Sequence, residues 1–344
     1  MMFSSDVAAI ARDPRWLPHR YDPEFDAVHF LKLGRDDHRA ATFLIDAELP
    51  TDAAKLVLER GPSLAAARSS AAPLHFIFHS AYCCSTLLAR ALDRPGVSMA
   101  LKEPVILNDI VGWRRRGGQP ASVVEMLDSA MTLLAQPFSP GEAVVVKPSN
   151  IVNGMARAVL GMRPDTNALL LHAPLRVYLA SIAKKGMWGR LWVREFFVAL
   201  LQDGMVDLGF DEAQYLGQTD LQIAAAGWLA QHHLFALLVR EFGPGRVRAL
   251  DSESLMARPA PAMAALADLF RLKLDAPMID EIVAGPAFSR HSKFDKAFSA
   301  DARVEEQRTA EALHAEEIEK VVAWAEKVAE SRGIALQLEA PLLS

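Results

Sequence analysis

The stretch Phe76–Leu88, FIFHSAYCCSTLL, constrains this chain more than any other part of it. A short β-favouring run (His75-Phe76-Ile77-Phe78) gives way to small and hydroxylic residues. Leu87, Leu88, Ala91 and Leu92 then recur at helical spacing, so the pattern reads as strand, tight loop, helix. A helix N-terminus presents unpaired N–H groups and the positive end of its dipole, and Ser85 and Thr86 add two hydroxyls at the first turn. Phosphate or sulfate suits that geometry. The GxxxxGK[ST] pattern is absent, and Ser-Thr ahead of a helix also serves as a plain cap, so on spacing alone both readings stay open.

The rest of the chain repeats the strand-then-helix alternation. Strands are expected at 75–78, 97–101, 143–147, 168–172 and 247–250, and helices at 86–92, 123–134, 153–160 and 175–183. This predicts an α/β fold of three layers, a parallel sheet with flanking helices. In such folds ligands sit beyond the carboxyl ends of the strands, where residues 79–86, Lys102-Glu103, Lys147-Pro148-Ser149-Asn150 and His172-Ala173-Pro174 all fall. Helices without strands follow at 191–201 and 221–242. The second is opened by Thr219-Asp220 and closed by Gly243-Pro244-Gly245, and the two are expected to form a helical layer. A charged helix over 304–330 closes the chain. Residues 1–70 read as an appendage to the α/β domain of 71–344: segments 27–33 and 40–45 flank the turn Gly34-Arg35-Asp36-Asp37 as a hairpin, and Pro50-Thr51-Asp52 starts a short helix.

Composition narrows the function classes. Half the 344 residues are apolar and the formal net charge is −5, which argues against disorder and against broad attraction to nucleic acid or anionic membrane. No apolar run approaches the roughly 20 residues of a membrane span, and no leader segment is recognisable at the N-terminus. The two cysteines, Cys83 and Cys84, are adjacent, a poor arrangement for a structural disulfide and too few ligands for zinc. A reducing, cytoplasmic setting is expected. His19, His29 and His38 lack metal-ligand spacing and are expected at or near the surface; no metal site is expected.

Taken together, the strand-loop-helix at 75–92, Lys102-Glu103-Pro104, the Lys147-Pro148 turn, LLLHAPLRVYLAS at 169–181 and the late block 246–259 resemble the ordered blocks of the P-loop sulfotransferase family. The resemblance covers about residues 74 to 300 and leaves 1–70 unexplained. It implies 3′-phosphoadenosine 5′-phosphosulfate as sulfuryl donor, a hydroxyl or amine acceptor on a small molecule or peptide, and no metal. The family's 5′-phosphosulfate loop falls on Ser80, Ala81, Tyr82, Cys83, Cys84, Ser85 and Thr86, its 3′-phosphate block on His172 to Arg176, and a carboxylate kept by some members on Glu103. Three positions depart from the pattern: Tyr82 stands in place of a loop Lys or Arg, His172 in place of an Arg, and Ala180 in place of a Ser, with Ser181 next to it. Charge-assisted contacts are each worth about 1.5–3 kcal/mol, so the two lost cations together amount to a few kcal/mol of donor affinity.

Candidate replacements are Lys102 and Lys147, just past strand ends, and Lys184, Lys185, Arg290 and Lys293, in or beside loops that can approach the 3′-phosphate. The resemblance implies that Lys147 or Lys102 neutralises the leaving oxygen while Glu103 takes the acceptor proton. Two other readings stay open: a kinase-like phosphotransferase, which would need Mg²⁺ and a loop lysine, and a non-catalytic nucleotide-binding or scaffold relative. The sequence leaves the acceptor and the oligomeric state unread.

Overall fold

A computed structural model describes residues 4–289 and 300–343. Among the described residues there are eight strands: β1 (Trp16–Asp22), β2 (Ala27–Lys32), β3 (Lys55–Glu59), β4 (Leu74–His79), β5 (Ser98–Lys102), β6 (Ala143–Lys147), β7 (Ala168–His172) and β8 (Val247–Asp251). The last five form one parallel sheet in the order β5-β6-β4-β7-β8. Strands covered by helices on both faces have no solvent side, so they read as continuous apolar runs and not as an alternation. The six residues of β4 and the five each of β5 and β6 are all buried. With β4 in the middle, the chain leaves it first towards β5 and β6 and returns to β7 on the other side, which puts the loop after β4 at the switch point of the sheet.

The strands expected for the parallel sheet agree with the observed ones to within a residue, as do the helices expected at 86–92, 175–183 and 221–242, while those expected at 123–134, 191–201 and 304–330 start earlier, at Pro120, Gly186 and Ala300, and 153–160 is a 3-10 turn (Asn150–Met155) leading into the helix Ala156–Met162. Asp220–Phe242 begins where Thr219 accepts the Gln222 N–H and Gln222 returns a bond to the Thr219 N–H, and it ends at Gly243 with φ 75°. The N-terminal hairpin is placed differently. Residues 27–33 do form a strand, but its antiparallel partners are β1 and β3, giving a three-stranded sheet in the order β1-β2-β3. Pro18 and the bulge between Pro18 and Arg20 interrupt the period-2 pattern of β1, which hides it from a sequence reading. The expected turn is instead the helix Arg35–Ala40, favoured by Asp36 and Asp37 in its first turn and by the Gly34 N–H bonded to the Asp37 carboxylate at 2.7 Å. Residues 50–52 form a turn without starting a helix. His19 and His38 are buried: His19 Nε2 lies 2.8 Å from the Asp46 carboxylate and the His38 ring meets Phe138 edge-on.

The chain divides into two compact units. The first comprises Met1–Phe78, Thr86–Ala168 and Ala267–Met278, the second His79–Ser85, Leu169–Leu266 and Ile279–Ser344. In the first, the helices Val105–Arg115 and Pro120–Leu134 pack on each other and on β1. In the second, Leu175–Lys184, Gly186–Gln202, Asp220–Phe242 and Ala300–Arg332 form the helical layer. Among the described residues no helix is long and apolar enough to cross a membrane.

The first unit contains a buried charge network. Glu142 is fully buried, and its carboxylate receives the Arg35 guanidinium at 2.6 Å and the Gly96 N–H at 2.7 Å. Arg35 also reaches Asp93 at 3.0 Å and the Ser98 carbonyl at 2.8 Å. Removing one member of a buried pair strands the other charge, so Arg35→Ala should lower unfolding free energy by about 3–5 kcal/mol. Urea denaturation checks this; a loss under about 1 kcal/mol would mean that water reaches Glu142 once Arg35 is gone.

Candidate functional site

Strand β4 ends at His79, and the chain turns through Ser80–Cys84 into the helix Ser85–Leu92. Three non-glycine residues of this turn have left-handed backbones: Ala81 (φ 70°), Tyr82 (φ 51°) and Cys84 (φ 63°). Such positions crowd Cβ against the backbone and persist only where neighbours hold them. Here the Ser80 N–H donates to the Leu171 carbonyl at 3.0 Å, the Ser80 Oγ accepts the Ala173 N–H at 3.2 Å, the Ala81 N–H donates to His79 Nδ1 at 3.1 Å, and Cys83 Sγ approaches the Leu171 carbonyl at 3.4 Å. The end of β7 therefore holds the turn. A change of backbone hand just before a helix start is the arrangement in which successive N–H groups form an anion-binding concavity. Ser85 and Thr86 are buried, as is Cys83, while Cys84 is half-buried; neither cysteine is in a disulfide.

The Tyr82 side chain stands in an aromatic cluster, edge-on to Trp192 (centroids 5.4 Å apart) and to Tyr178 (5.9 Å), and Trp192 stacks on Phe196. Burial pushes the Tyr82 phenol above its usual range, so this position is neutral at physiological pH. The Lys185 ammonium lies 5.8 Å from the Tyr82 ring centroid and 5.2 Å from that of Trp188. No sequence signal links residue 82 to residues 185 and 192.

His172 ends β7 as expected. Its ring meets His232 edge-on, and His232 stacks on Trp228, whose indole N–H donates to the Ala173 carbonyl at 2.8 Å. Burial lowers the His172 pKa below the ordinary histidine value, so it brings no positive charge near neutrality. His172, Arg176, Trp228, Asp251, Ser254 and Glu326 are among the residues lining a cleft of about 660 Å³. Arg176 there is paired with Glu319. The Ser181 hydroxyl bonds the Val177 carbonyl of its own helix at 2.8 Å. Arg290 and Lys293 lie outside the described residues.

In the first unit the structure brings Lys147 and Glu103 together. Lys147, the last residue of β6, is buried; its ammonium bonds the Glu103 carboxylate and lies 4.9 Å from the Phe43 ring centroid. Glu103 follows β5 with φ 53°, and its N–H returns a bond to the Lys147 carbonyl at 2.7 Å. The two residues thus fix each other through side chain and backbone, leaving Glu103 partly exposed (side chain 18%) over a buried lysine. Phe43, a contributor that sequence reasoning missed, comes from the segment expected as a strand at 40–45, which instead runs past the end of β5 (Leu44 N–H to the Lys102 carbonyl, 2.7 Å). Lys102 does not join the pair by hydrogen bond: its ammonium donates to the carbonyls of Arg39 and Ala41.

Burial is the main cause that lowers the Lys102 pKa from 10.5 to about 8. Between those values the unfolded chain binds more protons at this site than the folded one, so the site's contribution to stability is smallest below pH 8 and grows as pH rises towards 10.5. Lys102→Met should lack that rise. Urea midpoints of the two proteins at about pH 7.5 and pH 10 test it: wild type should gain on the variant at the higher pH, and parallel behaviour would mean that the amine is solvated.

No protein-family profile matches the sequence, and no curated protein matches it either. Among solved structures the chain is similar to a sulfotransferase domain from the curacin biosynthetic pathway, at 13% identity and a TM-score of 0.44, over 77% of this chain and 99% of that domain.

Proposed function

We propose that this protein is a sulfotransferase-like enzyme that moves a sulfuryl group from 3′-phosphoadenosine 5′-phosphosulfate to a hydroxyl or amine of a small molecule or peptide. The observation that carries this reading is the left-handed turn Ala81–Cys84 at the sheet's switch point, opening directly into the helix Ser85–Leu92. Strained backbone held by the neighbouring strand is a reason to look for a ligand. The residues fit the donor unevenly. The turn and the Ser85 and Thr86 hydroxyls suit its 5′ anionic end, while at the other block His172 is neutral and Ser181 is bonded to its own helix, so recognition of the 3′-phosphate there is weak in charge.

Bound there, the donor supplies a sulfuryl group on a good phosphate leaving group. The chain's part is alignment and charge. Glu103 accepts the proton from the acceptor hydroxyl or amine as the new bond to sulfur forms and the bond to the leaving phosphate oxygen breaks. Lys147 holds Glu103 in place by direct pairing, a part that Lys102, bound to backbone carbonyls, is not placed to share. This scheme uses no metal. Residues 71–344 carry the chemistry in this reading, residues 1–70 are accessory, and the setting is cytoplasmic.

A ligand that binds only the folded state raises its stability by mass action. Adenosine 3′,5′-bisphosphate at millimolar concentration should therefore raise the melting temperature in metal-free buffer. A flat response with a shift from ATP and Mg²⁺ instead would replace this reading by the phosphotransferase. No response to either nucleotide would favour the non-catalytic relative.

Once an acceptor is identified, Glu103→Gln should lower turnover by about 10²–10⁴-fold, the usual share of a positioned proton acceptor. Bisphosphate affinity should stay nearly unchanged. Unchanged turnover would leave Glu103 a structural partner of Lys147.

A further inference from the structure

The first unit carries two amides past its strand ends that the scheme above does not use. Asn150 opens the 3-10 turn Asn150–Met155, three residues after Lys147, and is only 6% exposed. Asn108 is half-buried in the helix Val105–Arg115. Among the described residues, the buried Nδ2 of Asn150 and the buried Oδ1 of Asn108 meet no hydrogen-bond partner. One is a donor and the other an acceptor. An unpaired polar atom away from water costs stability, so each calls for a reason. Their place in the chain is beside Glu103. Pro104 is the N-cap of the helix Val105–Arg115, which makes Glu103 the N′ residue and Asn108 the N4 residue, two positions whose side chains pack together at helix starts. The turn Asn150–Met155 packs on the same helix and is entered from Lys147, which is bonded to Glu103 through side chain and backbone. Both amides and the partly exposed carboxylate therefore follow the carboxyl ends of β5 and β6, within one compact unit.

Resting on the reading above, we propose that Asn150 Nδ2 and Asn108 Oδ1 hold a second hydroxyl of the acceptor next to the one that reacts, so that the acceptor is a polyhydroxylated molecule of the sugar class. A hydroxyl donates and accepts through a single oxygen, which matches one donor and one acceptor on adjoining segments. A peptide unit is a poorer match, because its N–H and C=O point to opposite sides of a rigid trans bond. An alcohol on an apolar skeleton offers nothing to either amide. With the second hydroxyl held, the oxygen of the reacting hydroxyl attacks sulfur, its proton passes to Glu103, and the bond from sulfur to the leaving phosphate oxygen breaks. Selection by such a seat is strong, since a substrate without the second hydroxyl leaves both buried atoms unpaired.

Transfer of labelled sulfuryl from 3′-phosphoadenosine 5′-phosphosulfate to methyl glucoside and to cyclohexanol, six-membered rings with several hydroxyls and with one, tests the assignment. Wild type should favour the glucoside by about 10²-fold or more in kcat/KM. Asn150→Leu, which keeps the shape of the side chain, and Asn108→Ala should each raise the KM for the glucoside about 10-fold and narrow the preference, with the affinity for adenosine 3′,5′-bisphosphate unchanged. A second readout needs no acceptor. Asn150→Leu removes a buried atom that has no partner, so the variant should melt at a higher temperature than wild type without ligand. A lower melting temperature would make Asn150 a structural residue and overturn its role. So would an unchanged preference in both variants. Equal use of the two alcohols, or transfer to neither while the bisphosphate binds, would overturn the polyol seat and leave the sulfotransferase reading intact. Absence of bisphosphate binding in wild type would overturn both.

Discussion

A parallel sheet closed off from water on both faces is the constraint on which the rest of this structure depends. Strands in such a sheet have no side on which a charged group can be hydrated, so β4, β6 and β7 are runs of Phe, Ile, Val and Leu. Polar chemistry is pushed to the strand ends. Lys147 is the last residue of β6, His172 the last of β7, and Glu103 follows the last residue of β5. The positions at which the chain carries reactive side chains are therefore set by hydration before any question of function arises.

Polar groups at the strand ends meet burial in more than one way, Lys102 by donating to backbone carbonyls. Lys147 is paired with Glu103, as Arg35 bridges Asp93 and Glu142. His172 and His232 instead lie in an aromatic stack with Trp228, where burial lowers the pKa of both and the rings remain neutral. The difference matters for what each unit can bind. The first unit presents an ion pair whose carboxylate is partly exposed. The second presents neutral rings at its strand end, with Lys185 at a helix junction as an exposed cation set against aromatic faces.

The turn after β4 shows how precision is obtained without glycine. Each left-handed L-residue costs about 1–2 kcal/mol, and Ala81, Tyr82 and Cys84 all take that conformation. Bonds to the backbone of Leu171 and Ala173 and to the His79 ring hold the turn against that strain. A turn defined so heavily by its neighbours has little freedom left, which suits a ligand cradle better than a flexible loop.

Hydrophobic runs and capping residues were legible without the structure, since both are local. A buried strand must be apolar along its length, and a helix must satisfy its first amides nearby, so the five parallel strands and the limits set by Thr219 and Gly243 follow from short stretches of residues. The Lys147–Glu103 juxtaposition was half legible. Both residues could be placed past strand ends, but that they bond each other while Lys102 turns to the carbonyls of Arg39 and Ala41 depends on chain segments far apart in sequence. The three-stranded N-terminal sheet was hidden by Pro18 and its bulge. By itself, then, the sequence determined the α/β class, the five strands of the parallel sheet and the residues available at their ends, because burial and capping act over a few residues. The left-handed turn at Ala81–Cys84, the neutrality of His172 and the seat of Lys185 over Tyr82 were decided only by the tertiary structure, because each depends on groups that packing alone brings together.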